Sequence, residues 1–158
     1  ISSAALCMMI GLSGLAGGAA TAGCSAQMVG FAVISYKENG LGGLVSQGIG
    51  TSMLQIPNIV KNWKIWIPPT LASVITGPIS TVVFKMTNIP IGSGMGTSGL
   101  VGQIGTITSM SADGRSLGVI YTSILLVHII LPAVLSYLFY IPMKKIGWIK
   151  DGDMKLNL

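Results

Sequence analysis

Charged positions divide the sequence into five uncharged stretches, residues 1–36, 39–60, 65–84, 86–112 and 116–143. A helix crossing the hydrocarbon core of a bilayer needs about 20 apolar residues, so each stretch has the length of a candidate span. Two of them read as simple spans. Residues 65–84 carry Pro68 and Pro69 near the start, where missing amide donors cost a helix little, and then run through β-branched and small side chains to Lys85. Residues 116–143 contain the near-continuous apolar run Ile124, Leu125, Leu126, Val127, Ile129, Ile130 and Leu131. The first stretch holds Gly11, Gly14, Gly17, Gly18, Ala22 and Gly23; its small-xxx-small pair Gly14/Gly18 predicts a helix packed closely among others, since a lipid-facing helix would show larger side chains.

The remaining two stretches predict broken structure. Gly40, Gly42, Gly43, Gly48 and Gly50 lie in one, and Gly92, Gly94, Gly96, Gly99, Gly102 and Gly105 in the other. Each glycine costs a helix interior up to about 1 kcal/mol relative to Ala, so continuous helices are not expected there. Non-helical backbone at membrane depth survives only where protein covers it or where it lines a wet cavity. The stretches also echo one another: Gly-Leu-Val, Gln, Ile-Gly-Thr and Ser-Met recur in the same order in 43–53 and 99–110, which predicts an internal repeat.

Charge then discriminates between topologies. If all five stretches cross, six Lys or Arg fall on the side of the C-terminal tail and three on the other; if the two Gly-rich stretches are re-entrant, the division is seven against two. The second arrangement fits the positive-inside tendency better and puts the basic tail in the cytoplasm. Aromatic residues support the boundaries, with Tyr36 beside Lys37, Trp63 and Trp66 around Lys64, Phe84 beside Lys85, and Tyr137, Tyr140 and Trp148 around the tail.

Composition agrees with a lipid environment: 8% of the 158 residues are charged and 51% hydrophobic, and mean hydropathy is +0.76, against about a quarter charged in soluble domains. The expected fold class is therefore an all-α integral membrane protein, a polytopic helical bundle with two echoed Gly-rich broken or re-entrant segments, forming part of a larger transporter fold. Residues 1–143 are expected to form the membrane domain and 144–158 a cytoplasmic basic tail. The chain opens on Ile1 without an initiator Met, a basic n-region or a cleavage signature, and is expected to be the C-terminal half of a longer protein.

Cys7 and Cys24 lack redox or zinc spacing and read as packing residues. The net charge of +5 is scattered between apolar stretches with no basic face, so no nucleic-acid partner is expected. Gly94-Met95-Gly96-Thr97-Ser98-Gly99 matches a dinucleotide fingerprint in letters only, because no βαβ context surrounds it. No cofactor, no metal site and no catalysis by this chain alone are expected.

Candidate chemistry centres on uncharged hydrogen-bonding groups. Gln47 and Gln103 hold matching places in the two echoes, and a primary amide both donates to and accepts from hydroxyls without the cost of a buried charge. That suits a sugar or polyol, although Gln also serves as helix-to-helix glue. Thr51, Ser52, Thr97, Ser98 and Thr106 add hydroxyls beside glycine backbone, and Asn58 follows Pro57 at a turn. His128, the single histidine, lies four residues before Pro132, whose missing amide leaves a carbonyl and an imidazole together at one kink; it is either a site residue or a histidine satisfied by a neighbouring helix. Gly77-Pro78 should likewise kink the middle span. Glu38, the single glutamate, is either a surface partner of Lys37 or a ligand-facing acid at the mouth of the first Gly-rich segment.

The runs 27–33, 38–40, 48–58, 66–73 and 94–103 together resemble the membrane (EIIC-type) component of the bacterial phosphotransferase system, in the branch that includes perfringolysin regulator-like proteins. The resemblance implies a permease-type subunit of the bacterial inner membrane, multi-pass, that binds and translocates a small polar solute such as a sugar. It further implies a homodimer and a separate cytoplasmic phosphocarrier component. The alternative it leaves open is a membrane sensor or regulator with the same fold and no transport. Sugar permeases of this kind use a glutamate-containing hairpin and a histidine; this chain has no Gly-Ile-Thr-Glu sequence, and only Glu38 and His128 offer those side chains.

Overall fold

A computed structural model describes residues 2–157. Three helical stretches are long and apolar enough to cross a membrane: Gly14–Ile34, Trp63–Val83 and Leu117–Lys145. They coincide with the first, third and fifth uncharged stretches, and no strand forms among the described residues. The chain folds as an all-α membrane bundle.

Two helices precede the first connection. Helix α1 (Ser2–Met9) turns at Gly11 into α2 (Gly14–Ile34). Two-thirds of the most apolar window of α2 is buried, against one-third in each of the other two spans, which makes α2 the central column. Small residues allow this: a Cβ on Gly18 would overlap the Met86 carbonyl, and one on Gly30 would press on Ser136 and Pro69. Close approach thus falls on Gly17, Gly18 and Gly30, whereas Gly14, paired to Gly18 in the sequence reading, sits at φ +63° with no neighbour within 4 Å of a Cβ there. Gly14 instead starts the helix, exchanging backbone hydrogen bonds with Asn88 at 3.0 and 3.2 Å.

Contacts order the spans. Gln27 meets Trp66 and Gly18 meets Met86, so the second span runs antiparallel to α2. The third runs parallel to α2, since Ala22 clusters with Ile120, Ile124 and Val127 at one end and Ile34 with Tyr140 and Met143 at the other. Both proline kinks anticipated in the spans appear as widened π-helical turns. In the second span α5 (Ile67–Pro78) passes into Ile79–Val83, and in the third α8 (Leu117–Ile124) passes through Leu125–Ile130 into α9 (Leu131–Lys145). Pro132 removes an amide and crowds the carbonyl one turn earlier, and the π turn before it absorbs both defects without ending the helix, whereas the turn at Ile79–Val83 follows Pro78 and closes the second span.

Each Gly-rich segment leaves one end of the bundle and returns to it. The first comprises α3 (Tyr36–Val45), a π-helical turn at Ser46–Gly50, an extended Thr51, a 3-10 turn at Ser52–Gln55 and α4 (Ile56–Lys61). Both of its limbs hold the C-terminal tail, through Asn39 on one side and Gln55 and Asn58 on the other. The second comprises α6 (Pro90–Ser93), a turn through left-handed Gly96, Gly99 and Leu100, and α7 (Val101–Ala112). Its limbs are tied together at the opposite end, where Ser109 donates to Thr87, Thr87 to Asp113, and Arg115 to the Phe84 carbonyl.

The echoed strings do not adopt matching structure. Residues 43–53 pass from helix through a π turn into extended Thr51, whereas Val101–Ala112 is one unbroken helix despite Gly102 and Gly105. Those two glycines are positions of contact rather than breakage: a Cβ on Gly102 would overlap the Gly96 carbonyl, and one on Gly105 the Asn88 amide. Packing in a confined space outweighs the intrinsic helix penalty of glycine.

The tail is part of the packed body. Ile149 and Met154 are buried with Phe31, Ile34, Ile65, Tyr140 and Met143, and Lys64 lies over the Trp148 ring at 5.2 Å.

Candidate functional site

The tips of the two Gly-rich segments touch. Thr97 Oγ1 donates to the Gly48 carbonyl, and Ser98 Oγ donates to the Gly50 carbonyl at 2.9 Å. Hydroxyl donation to peptide carbonyls is the bond expected where backbone has left its helix and its own amides no longer cover it. Beside this junction lies a cavity of about 200 Å³ lined by Ser3, Cys24, Gln27, Met28, Thr51, Ser52, Met53, Gly94, Met95 and Ser98. Cys24, Gln27 and Met28 come from the middle of α2 (Gly14–Ile34), which sets the depth of the cavity between the two ends of the bundle. No charged side chain lines it.

Glycine is required at this contact. A Cβ on Gly96 would lie 2.8 Å from Cys24 and Ser25 backbone atoms, and one on Gly94 would run into the backbone of Ser3 and Ala4. Gln27 is fixed from behind: its Nε2 donates to Thr70 Oγ1 at 3.1 Å and its Oε1 accepts from the Trp66 indole at 3.1 Å. The polar wall of the cavity is therefore made of hydroxyls, one amide and peptide groups.

The sequence-selected residues fall into three places. Thr51 and Ser98 line the cavity, and Thr97, 3.5 Å from the Met28 sulfur, lines a separate apolar hollow. Gln47, Asn58 and Glu38 belong instead to an amide chain at the tail end. Gln47 donates to Ser35 Oγ (2.8 Å) and to the Gly43 carbonyl (3.1 Å), and accepts from Gln55 (2.8 Å). Gln55 donates on to the Met154 carbonyl and accepts from Asn58, which also donates to the Lys155 carbonyl. Glu38 accepts the Met154 amide at 2.9 Å, so it grips tail backbone.

Gln103 and His128 form the third place, a buried pair with Gln103 Nε2 3.2 Å from His128 Nδ1. An amide nitrogen can only donate, so in this orientation Nδ1 accepts and the neutral ring carries its proton on Nε2. Gln103 Oε1 and His128 Nε2 have no hydrogen-bond partner among the described residues, leaving one spare acceptor and one spare donor. Gln47 and Gln103, equivalent in the echoes, thus have different surroundings: one amide is fully engaged and the other is not.

Some anchoring residues carried no advance signal. Asn88 is 1% exposed and its Nδ2 faces Thr21 Oγ1 (2.6 Å), the Gly102 carbonyl (2.9 Å) and Thr106 Oγ1 (3.2 Å), while its Oδ1 accepts the Ile89 amide. A lone Asn in Thr-Asn-Ile-Pro reads as turn chemistry. Gln55 likewise gives no sign of being the middle link of a chain whose other end is 99 residues away in sequence.

Three helical stretches long and apolar enough to cross a bilayer, packed as one all-α bundle, define a multi-pass membrane protein. Residues 1–156 match the family described as Phosphotransferase system, EIIC. The chain belongs to that family, and so is a membrane component of a phosphotransferase system that works with other proteins of the system. No curated protein and no solved structure matches the chain.

Proposed function

We propose that this chain is a solute-binding component of a sugar-translocating permease, with the cavity at the touching tips as its binding site. The observation that carries the reading is the character of that cavity: Thr51, Ser52, Ser98, Ser3, Gln27 and peptide groups, with no charge, at the mid-depth of α2. Hydroxyl, amide and backbone groups exchange hydrogen bonds with a neutral polyhydroxy solute without stranding a buried ion. The two Gly-rich segments enter the bilayer from opposite faces, the arrangement in which broken helices present a midplane site. Gln103 and His128, away from that cavity, keep a spare acceptor and a spare donor that would complement a solute hydroxyl.

In this reading the membrane body, residues 1–143, lies in a bacterial inner membrane, and residues 144–158 face the cytoplasm. The seven-to-two division of basic residues between the two ends supports that orientation. A separate cytoplasmic phosphocarrier component phosphorylates the solute, and the permease works as a homodimer. The same cavity of about 200 Å³ would equally serve the alternative, a perfringolysin regulator-like sensor that binds a small solute without transport.

Uptake of labelled sugars and polyols into proteoliposomes, paired with equilibrium binding, tests the proposal. Accumulation that falls at least tenfold in Thr51→Val/Ser98→Ala supports the permease. Tight binding without uptake supports the sensor, and the absence of both overturns the assignment of the cavity.

A further inference from the structure

Two apolar hollows on one flank of the bundle form a single groove. The outer, about 770 Å³, lies at the tail end between α2, α3 and α9, and the inner, about 310 Å³, continues it toward the touching tips. Val33 and Leu44 line both, which makes them continuous. Apolar side chains line its length: Ile34 and Ile141 at the outer end, Ile49, Leu100 and Ile129 at the inner.

The rim at the tail end is cationic. Lys37, Lys144 and Lys145 stand at the outer hollow together with Tyr36, Tyr137 and Tyr140. Lys144 is engaged by Asp151 and lies over the Tyr140 ring at 5.6 Å. Lys37 and Lys145 have no acidic partner within ion-pair distance among the described residues, and the neighbouring Glu38 is turned to the tail backbone.

Length fits as well. From Tyr140 at the rim to Ile129 at the inner end is eleven residues of helix, about 16 Å at 1.5 Å per residue. That is close to half of the roughly 30 Å hydrocarbon core, the depth reached by one leaflet's acyl chains.

We infer that this groove is a binding site for an anionic phospholipid of the tail-side leaflet, with its phosphate between Lys37 and Lys145 and an acyl chain laid along Val33 and Leu44 toward Leu100. Aromatic and basic residues at this level match the headgroup zone, where each lysine near an anionic surface strengthens binding severalfold. The lipid would wedge between the first Gly-rich segment and the last span, reaching the tips themselves. The inference stands on the membrane assignment and is independent of which solute the cavity takes.

Native mass spectrometry of the full chain, released from micelles containing phosphatidylglycerol or phosphatidylcholine of identical chains, tests it. Retention of phosphatidylglycerol over phosphatidylcholine by tenfold or more is expected, and Lys37→Gln/Lys145→Gln should weaken it by roughly tenfold to thirtyfold. Lys61→Gln/Lys155→Gln, which removes the same charge from a separate hollow on the tail end, should leave retention unchanged. Glycerol 3-phosphate should fail to compete, which separates a lipid site from a free-phosphate site. Equal retention of the two lipids, no effect of the rim variant, or disulfide cross-links between copies through Leu44→Cys and Ile129→Cys would overturn it, the last by showing that a second copy fills the groove.

Discussion

The two Gly-rich segments start from nearly the same string of residues and are held by opposite means. The first is held by side chains: Gln47, Gln55, Asn58 and Asn39 pass hydrogen bonds from one limb to the other and onto the tail, and at three of its glycines, Gly40, Gly42 and Gly50, an added Cβ would meet open space. The second is held by close approach at its glycines, with Gly94, Gly96 and Gly102 against neighbouring backbone and Gly92 and Gly105 against the Asn88 side chain, none leaving space for a Cβ. Asn88 anchors its middle, and Ser109, Thr87, Asp113 and Arg115 tie its ends. Glycine thus serves freedom in one segment and proximity in the other, and the letter alone does not say which.

Substitution at glycine should separate the two most sharply. Gly102→Ala forces the Gly96 turn away from α7 and should cost on the order of 3 kcal/mol in unfolding from detergent micelles. Gly42→Ala adds a methyl to open space in an ordinary helical position and should stabilise by about 0.5 kcal/mol. Equal losses at both sites would end the distinction.

The anchor comes next in size. Asn88→Ala leaves the half-buried Ile89 amide without its acceptor and the buried Thr21 hydroxyl without a donor, while the Gly102 carbonyl keeps Thr106 Oγ1, and a stability loss of about 2 kcal/mol is expected. The first segment should not register the change, so protection of its amides from hydrogen exchange should stay at the wild-type level.

A smaller effect distinguishes the paired glutamines. Gln47→Met strands the Ser35 hydroxyl and one Gln55 donor and should cost about 1–2 kcal/mol. Gln103→Met removes a single hydrogen bond, leaving His128 Nδ1 without a donor, and with it an oxygen that already lacks a partner, so its cost should be the smaller, about 1 kcal/mol. The order would reverse if Gln103, rather than Gln47, were the structural amide.

Much of the bundle was legible because lipid imposes simple rules. Uncharged length, the aromatic belt and the division of nine basic residues gave three spans in the places where they occur. The pairing of Thr97 and Ser98 with glycine backbone could be anticipated from residue type, although not their partners, Gly48 and Gly50. What stayed hidden depends on contacts distant in sequence. Gln47 is a latch and not a lining residue because Gln55 lies across from it, and Asn88 is central because Gly102 and Gly105 let α7 approach. The tail looked like a basic appendage because lysines dominate it, while the two residues that dock it, Ile149 and Met154, are single apolar positions without periodicity.

The least effect is expected from the tail's own closure, and it bears on one segment alone. Asp151 pairs with Lys144, and the lysine beside it holds the carboxyl below its ordinary value of 3.8. A depressed acid adds stability that is present in full above the ordinary value and is lost as pH falls through the lowered one. The group is exposed, so screening keeps the contribution small. Lowering the pH through the acid range should therefore loosen the turn that brings Met154 and Leu156 to Glu38 and Asn39, slightly raising exchange at those two amides. Asp151→Asn should abolish the part of that pH response due to the pair. Exchange in the second segment, whose limbs meet at the opposite end through Ser109, Thr87 and Arg115, should follow the same course with and without the substitution. If Asp151→Asn altered both segments together, the tips at Thr97 and Gly48 would be transmitting tail docking across the bundle, and the two segments would have to be treated as one mechanical unit.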